Sequence, residues 1–187
     1  MIPLDCQQIK KSFASLKTKS DVAALLGSTD RAFRYRLYGL RLADQYKTFE
    51  LRKKSGGVRT ITSPDPALKF IQHQLHRILE CIYEPKAAVH GFTVDRSIKS
   101  NANQHPKTKW VFNVDISDFF PSINFGRVRS MFMANPYKCT PEVATVLARI
   151  CCVDNQLPQG APTSPIVSNM MRPAGCSFES PCGELEM

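Results

Sequence analysis

The stretch from Asp65 to Ile82 constrains the fold most, because its apolar residues recur at spacings of three and four. That period places them along one face of an α-helix. The helix is predicted to begin at Asp65 and Pro66, a capping acceptor followed by a residue whose φ is already near the helical value. The apolar face consists of Leu68, Ile71, Leu75, Ile78, Leu79 and Ile82. A helix with this pattern has to pack against other parts of the chain, which predicts a globular protein with a buried core.

A β-hairpin is predicted just before this helix. Residues 47–52 (KTFELR) and 58–62 (VRTIT) have strand composition and flank a turn at 54–57. Gly56 and Gly57 supply the positive φ angles that a tight reversal requires.

The first 45 residues predict short helices. Ser20 is expected to cap one helix that ends near Gly27, and Asp30 to cap another that ends near Gly39.

Residues 109–116 (KWVFNVDI) alternate in the manner of a β-strand. One face is predicted to carry Trp110, Phe112, Val114 and Ile116, and the other Val111, Asn113 and Asp115. The pattern therefore predicts a buried strand that presents the carboxylate of Asp115 at its end, in a groove open to solvent.

Further helices are predicted in the second half of the chain. A weak one after Asp95 would place four residues on one face: Ile98, Asn101, Ala102 and His105. Others are expected over about 124–134, from Thr140, and from Ile166, the last after the proline-rich loop 157–165.

The charge balance favours a polyanionic partner. Lys and Arg number 25 against 16 Asp and Glu, which gives a formal net charge of +9. Clustered cations gain affinity from phosphates by releasing condensed counterions. Many basic proteins never bind nucleic acid, so the charge alone leaves the partner open.

The sequence predicts a cytoplasmic protein with no membrane association. No stretch approaches the ~20 apolar residues of a membrane helix, and the N-terminus lacks a signal peptide's apolar core. The seven cysteines contain no C-x-x-C pair, so reduced and mostly buried thiols are expected rather than a zinc or redox site.

Two motifs carry the most specific signal. Residues 114–123 (VDISDFFPSI) are followed some forty positions later by residues 157–169 (LPQGAPTSPIVSN). Three more stretches agree in order and spacing: KKSGGVRTITSP, LKFIQHQL and HGFTVDRSIKSNANQH. Over about residues 20–171 the chain resembles bacterial retron-type and group II intron-like reverse transcriptases.

The resemblance implies an α+β fold, with the fingers and an incomplete palm of a right-hand polymerase and a helical N-terminal segment. The implied bounds are 1–45 for the helical segment, 46–108 for the fingers and 109–171 for the partial palm. Residues 172–187 lack periodicity and shift in composition, so an atypical, disordered or foreign tail is expected there.

The resemblance also implies RNA-templated DNA synthesis with Mg²⁺. Nucleotidyl transfer uses two divalent ions held by carboxylates at a rigid point. The position of Asp115 implies a catalytic carboxylate and metal ligand, assisted by the carbonyl of Ile116. The alternative is an Asp that ends a strand and caps a turn.

Nucleotide-binding roles are implied for Lys53, Arg59, Asp118, Phe120, Gln159 and Gly160. Arg59, with Lys53 or Lys54, would grip the triphosphate, since cations stabilise charge on the transferring phosphoryl group. A solvated basic hairpin is the alternative. Gln159 and Gly160 would pack beside the nascent pair and the template, where glycine allows close backbone approach.

The turn after Asp115 is implied to shape the nucleotide site. The backbone of Asp118 would face the triphosphate, unless this residue only caps a helix. The ring of Phe120 would clash with a ribose 2′-hydroxyl, which makes dNTPs the expected substrates; core packing is the alternative. Phe119 is expected in the core.

Roles in supporting the fingers and the RNA template are implied for Arg96, Asn101 and His105, and a purely structural role remains open for each. His73 and His76 are three residues apart on the long helix and are expected to be ordinary surface or satisfied histidines rather than metal ligands.

Family members complete the metal site with a Tyr-x-Asp-Asp turn, whereas this sequence contains no Asp-Asp pair. The chain alone is therefore expected to be inactive. A non-catalytic RNA-binding relative and a poorly folding fragment are the alternatives. By resemblance a structured RNA serves as template and primer, and an effector protein in phage defence is a possible partner.

Overall fold

A computed structural model describes residues 5–52, 56–106, 109–110 and 114–171. In these ranges it combines helices with one small antiparallel sheet. The strands are β1 (Tyr46–Arg52) and β2 (Val58–Pro64). The helices are α1 (Cys6–Ala14), α2 (Lys19–Leu25), α3 (Asp30–Arg34), α4 (Pro66–Ile82), α5 (Ile98–Ala102), α6 (Phe125–Met133), α7 (Pro141–Cys151) and α8 (Ser164–Met170). A π-helix (Tyr35–Gly39) continues α3, and a 3₁₀ turn (Ala43–Gln45) precedes β1.

The N-terminal segment is helical as predicted, but its caps differ. The hydroxyls of Thr18 and Thr29 accept hydrogen bonds from the first turns of α2 and α3, so the predicted caps Ser20 and Asp30 are wrong. Each threonine stands one or two positions earlier, where the backbone is still extended. Ser20 and Asp30 instead bond to each other at 2.8 Å and join the two helices.

The hairpin is confirmed. Strand β1 pairs with β2 from Tyr46 opposite Pro64 to Arg52 opposite Val58. Gly56 has a φ of +85° and Gly57 a φ of +82°, as the turn requires.

Helix α4 begins and packs as predicted. The carboxylate of Asp65 accepts a hydrogen bond from the amide of Leu68 at 2.8 Å. The predicted apolar face is buried except for Ile82, which is partly buried. Gln72 is also fully buried on this helix, and its amide donates to the hydroxyl of Tyr46 and the carbonyl of Ile150, each at 2.8 Å. This side chain therefore joins α4 to β1 and α7.

The later helices follow the predicted order with small shifts. Helices α6 and α7 match the expected bounds, and α8 begins at Ser164, two residues before the predicted start. Helix α5 ends at Ala102, so the expected shared face does not reach His105. Ile98 is 91% exposed, which shows that α5 lies on the surface rather than over the core.

The predicted buried strand over 109–116 is wrong for the residues that the structure describes. Trp110, Val114 and Ile116 are not in a strand, and their exposures are 91%, 73% and 60%. Val111, Phe112 and Asn113 lie outside the described residues. A strand needs a neighbour for its backbone hydrogen bonds, and within the described ranges β1 and β2 pair only with each other.

The expectation that the cysteines are all reduced thiols is also wrong. Cys6 of α1 and Cys81 of α4 form a disulfide, with Cα atoms 5.1 Å apart. Cys139, Cys151 and Cys152 are free and buried, as predicted. Burial raises the pKa of Cys139 to about 11 and that of Cys152 to about 12, so neither is a reactive thiolate near neutral pH.

Within the part of the chain that the structure describes, no helix combines the length and apolarity that a membrane span needs.

Candidate functional site

The turn that follows Asp115 is tight and has an unusual backbone. Asp118 has a φ of +49°, in the left-handed region that residues other than glycine rarely adopt. The amide of Ser122 donates to the carbonyl of Asp118 at 2.9 Å, and its hydroxyl donates to the carbonyl of Phe119 at 2.7 Å. Such local strain is often found at functional sites. Asp115 and Asp118 are both exposed at the surface of this turn.

The burial of the two phenylalanines of the turn differs from the prediction. Phe119 is 39% exposed, so the expectation that it lies in the core is wrong. Phe120 is partly buried and packs against the core cluster. Their ring centroids are 5.5 Å apart. Because the turn points Phe119 outwards, Phe120 is the one of these two rings that anchors the turn to the core, next to the buried Ile123.

The proline-rich loop lies directly on strand β2. The amide of Thr62 donates to the carbonyl of Gln159 at 2.8 Å. Gly160 has a φ of +128°, and a Cβ atom there would lie 2.8 Å from Cγ2 of Ile61 and 3.1 Å from the carbonyl oxygen of Thr62. The close approach expected of Gly160 is therefore made to β2. The hydroxyl of Ser164, which is buried, donates to the carbonyl of Pro158 at 2.7 Å. This bond joins the loop to the first residue of α8.

The same loop is joined to the turn. The amide of Leu157 donates to the carbonyl of Ile123 at 3.0 Å, and the amide of Phe125 donates to the carbonyl of Asn155 at 3.1 Å. Strand β2, the turn at 114–123 and the loop at 157–163 are thus connected by main-chain hydrogen bonds. We call this assembly the three-segment unit.

Arg59 lies on the face of the hairpin that contacts the loop at 157–163. Side chains alternate along a strand, so Arg59 shares a face with Ile61, which contacts the position of Gly160. Arg52 of β1 lies on the opposite face by the same register. Both arginines are exposed. Lys53 and Lys54, the other predicted cations of the hairpin, lie outside the described residues.

Arg96 serves a structural contact. Its guanidinium donates to the main-chain carbonyls of Lys86, Ala87 and Val89, including one bond of 3.0 Å to Ala87. The guanidinium therefore holds the loop that follows α4, which favours the structural reading of this residue.

The other two residues of the predicted template set, Asn101 and His105, are exposed on and after α5. Helix α5 is tied to the loop at 90–91, and that loop is tied in turn to α8. Nδ1 of His90 lies 2.9 Å from the hydroxyl of Ser100, and the side chain of Asn169 donates to the carbonyl of Gly91 at 2.8 Å. Asn169 belongs to α8, so this surface is attached to the helix that follows the loop.

The described residues do not form a metal centre by themselves. Among them no group of three or more His, Cys, Asp or Glu side chains is placed to hold an ion. His76 lies 3.3 Å from the carboxylate of Glu80 instead. As ligands, Asp115 and the carbonyl of Ile116 would supply two oxygens, whereas Mg²⁺ prefers six.

Sequence reasoning missed Ile61 and Thr62 as contacts of the loop. The hairpin and the loop were each predicted, but their spacing along the chain does not show which atoms meet. The adjacent pair Gln159-Gly160 is the one available signal, since a glycine inside a proline-rich loop indicates a close backbone approach.

Known proteins match most of this chain. Residues 51–174 match the family model described as "Reverse transcriptase (RNA-dependent DNA polymerase)". The chain is 32% identical over 189 residues to the Retron Mx65 reverse transcriptase of Myxococcus xanthus, covering 90% of the chain and 44% of the relative. It is 35% identical over 140 residues to the Retron Ec86 reverse transcriptase of Escherichia coli, covering 74% of the chain and 40% of the relative. The chain therefore spans less than half the length of these relatives.

Proposed function

The chain belongs to the reverse transcriptase (RNA-dependent DNA polymerase) family, and from that premise we propose that it supplies the nucleotide-binding part of a retron-type RNA-directed DNA polymerase. The observation that carries the proposal is the three-segment unit, in which the Thr62 amide bonds to Gln159 and the Leu157 amide bonds to Ile123. Residues 46–108 would be the fingers and 109–171 part of the palm of a right-hand polymerase.

Each segment of the unit has a role in this proposal. Arg59, with Lys53, would bind the triphosphate of a dNTP, and the strained backbone at Asp118 would lie beside it. The loop at Gln159 and Gly160 would border the template. The ring of Phe120 would exclude a ribose 2′-hydroxyl, and its partial burial supports this role because a fixed ring is a better steric barrier than a mobile one.

Mg²⁺ is the ion we propose for the complete enzyme, with Asp115 and the Ile116 carbonyl as two of its ligands. Divalent ions stabilise charge on the attacking and leaving oxygens in this class of reaction. The remaining ligands would come from the nucleotide, water or groups outside the described residues. For this reason we expect the 187 residues alone to show no measurable polymerase activity.

A paired substitution on the hairpin tests the nucleotide site. A photoreactive dNTP is cross-linked to the chain in the presence of a primed RNA template, and the labelled peptides are identified by mass spectrometry. Arg59→Gln should weaken cross-linking by about 10–100-fold, the usual range for losing a hydrogen bond to a charged group. Arg52→Gln is the matched control on the opposite face and should change it less than about twofold. Equal effects of the two variants would count against the site.

A second candidate function is RNA binding without catalysis. The net charge of +9 and the lack of a carboxylate cluster in the described ranges favour it. The two candidates separate in the cross-linking experiment, because a pure RNA-binding protein would hold the template but would not label at Arg59 with a dNTP.

The proposal extends to a structured RNA as template and primer, to an effector protein in phage defence, and to a cytoplasmic location. The disulfide between Cys6 and Cys81 makes this location worth testing, since structural disulfides are rare in the cytosol. Alkylation of thiols during cell lysis tests the location. Free Cys6 in cells would support the cytoplasm, and a protected Cys6 would contradict it.

A further inference from the structure

The disulfide between α1 and α4 lies near the surface of the molecule. Cys6 is the first residue of α1 and is exposed, and Cys81 is partly buried near the end of α4. Their bond joins positions that are 75 residues apart. Exposed disulfides are the labile ones, typical of regulatory or catalytic pairs, whereas structural disulfides resist reduction.

The other cysteines that the structure describes are unsuited to the same chemistry. Cys139, Cys151 and Cys152 are buried, with exposures of 9%, 0% and 3%. Burial raises the pKa of each of these thiols, so little thiolate is present near neutral pH. The thiolate is the form that attacks a disulfide. Among the described cysteines, an oxidant in solution therefore reaches Cys6 and Cys81 first.

The first two turns of α1, residues 5–11, are held weakly apart from the disulfide. Nζ of Lys10 lies 3.6 Å from the carboxylate of Glu84, but these side chains are 50% and 89% exposed, and surface ion pairs of this kind contribute little. Ile9 packs against the core while only partly buried. A helix of nine residues is not stable by itself in water. The attachment of residues 5–11 therefore depends on the disulfide.

The chain that follows these two turns has anchors of its own. Phe13 and Leu16 are 5% and 7% exposed and belong to the main core cluster. Two positions further on, the hydroxyl of Thr18 caps α2. Loss of the disulfide should therefore free residues 5–11 and leave the chain from Phe13 onwards in place.

The same two turns contribute to the wall of a cavity of about 630 Å³. Lys10 of α1 lines it, together with Ile82, Tyr83 and Glu84 directly after Cys81. Parts of α6 and α8 line it as well. Release of residues 5–11 would remove Lys10 from this lining, so the state of the disulfide affects the shape of the cavity.

We propose that Cys6 and Cys81 form a reversible redox switch that fastens the first two turns of α1 to α4 when oxidised and releases them when reduced. The reaction partner is a small disulfide such as glutathione disulfide. In a reducing compartment the switch is open at rest, and it closes when such an oxidant accumulates. The inference concerns α1 and does not rest on the proposed polymerase activity.

Closure of the switch proceeds by two exchanges. The thiolate of Cys6 attacks one sulfur of glutathione disulfide and displaces a glutathione thiolate. The thiolate of Cys81 then attacks the sulfur of Cys6 in this mixed disulfide and displaces the second glutathione thiolate. Two electrons pass from the cysteines to glutathione disulfide, and the two cysteine protons end on the two glutathione thiols. Excess reduced glutathione reverses both steps.

Equilibration of the purified chain with mixtures of reduced and oxidised glutathione tests the reversibility. Differential alkylation and mass spectrometry measure each cysteine separately, since Cys6 and Cys81 lie in different tryptic peptides, 1–10 and 78–86. Both should be alkylated in excess reduced glutathione, and the two peptides should be linked in excess oxidised glutathione. A pair that stays linked in the reducing mixture, or that never links in the oxidising one, would overturn the proposal.

Hydrogen–deuterium exchange in the same two mixtures measures the release of α1. Amides of residues 5–11 should exchange about 10-fold or more faster in the reducing mixture, because exchange follows local opening. Helix α7 is the internal control, and its exchange should change less than about twofold. Equal exchange of residues 5–11 in the two mixtures, with the disulfide fully converted, would also overturn the proposal.

Two single variants show which thiols are responsible. Cys6→Ser should exchange rapidly over residues 7–11 in both mixtures, and slow exchange of α7 shows that this variant is folded. Cys139→Ser removes a buried free thiol and should keep the difference between the mixtures. A difference that persists in Cys6→Ser, or that disappears in Cys139→Ser, would contradict the assignment of the switch to Cys6 and Cys81.

Discussion

At the scale of single residues, Gly160 is the contact on which the candidate site depends. Its neighbours in β2, Ile61 and Thr62, leave no room for a side chain, and its φ of +128° disfavours one. The sequence indicated a close approach at this glycine, but not that β2 is what it approaches. The contact between Gly160 and β2 depends on the packing of two segments that are about a hundred residues apart in the sequence.

Substitution of two glycines separates backbone strain from the steric clash. Gly27→Ala meets no atom within 4 Å at a φ of +68°, so it should cost only the left-handed conformation, about 1–2 kcal/mol of unfolding free energy. Gly160→Ala adds a clash with β2 and should cost about 2–4 kcal/mol. Urea unfolding of both variants measures the difference. Equal costs would show that the loop does not press on β2.

The proposed role of Phe120 in excluding ribonucleotides can be tested with the neighbouring Phe119 as a control. In a chimera that joins residues 1–171 to the matching C-terminal part of a retron relative, Phe120→Ala should raise ribonucleotide use relative to dNTP use by about 10–100-fold. The cause is removal of the ring that would clash with the 2′-hydroxyl. Phe119→Ala removes a more exposed ring from the same turn and should leave the ratio unchanged. Primer extension with each nucleotide gives the ratio, and an unchanged ratio in Phe120→Ala would identify that residue as core only.

At the scale of elements, periodicity predicted the helices well and failed for the strand. The spacing of Leu68, Ile71 and Leu75 located α4 because a helix satisfies its own backbone hydrogen bonds. The alternation across 109–116 predicts a β-strand, but a strand depends on a neighbouring strand for its backbone hydrogen bonds. Val114 and Ile116 are exposed, and the described residues supply no such neighbour.

The disulfide joins two elements whose pairing no sequence pattern indicated. Cys6 and Cys81 are separated by 75 positions, and they meet only because α1 packs along α4. A crosslink across so long a loop restricts the unfolded chain strongly.

Reduction of this disulfide should therefore destabilise the protein. Urea unfolding with a reductant, compared with unfolding under oxidising conditions, should show a loss of about 2–4 kcal/mol. The double variant Cys6→Ser with Cys81→Ser should have the lower stability and should not respond to reductant. A response to reductant in that variant would assign the effect to other thiols.

At the scale of the whole molecule, the family of the chain was predictable and the contacts between its segments were not. Five ordered motifs indicated a reverse transcriptase, and the family match over residues 51–174 confirms it. The helical and hairpin composition is confirmed as well, while the fingers-and-palm arrangement stays a proposal. The order of motifs identifies a family. A metal site needs several carboxylates at one point, and Asp115 is the one candidate carboxylate that was predicted from the sequence.

Binding of structured RNA by the whole chain should depend strongly on salt. The net charge of +9 predicts that the logarithm of the binding constant falls linearly with the logarithm of salt concentration, with a slope of about −0.9 for each duplex phosphate contacted. Arg59→Gln should make the slope shallower by about 0.9, the contribution of one phosphate contact. Binding that does not change between low and high salt would rule out a phosphate interface.

Primer extension on an RNA template tests the central claim most directly, with the chimera described above and with the 187-residue chain alone. The chimera should incorporate dNTPs, Asp115→Asn should reduce its rate by about 100-fold or more, and Asp44→Asn, an exposed carboxylate elsewhere, should leave the rate within about twofold. The 187-residue chain should show no incorporation above a blank. Activity in the chimera that survives Asp115→Asn, or activity of the chain alone that depends on Asp115, would contradict this account of the site.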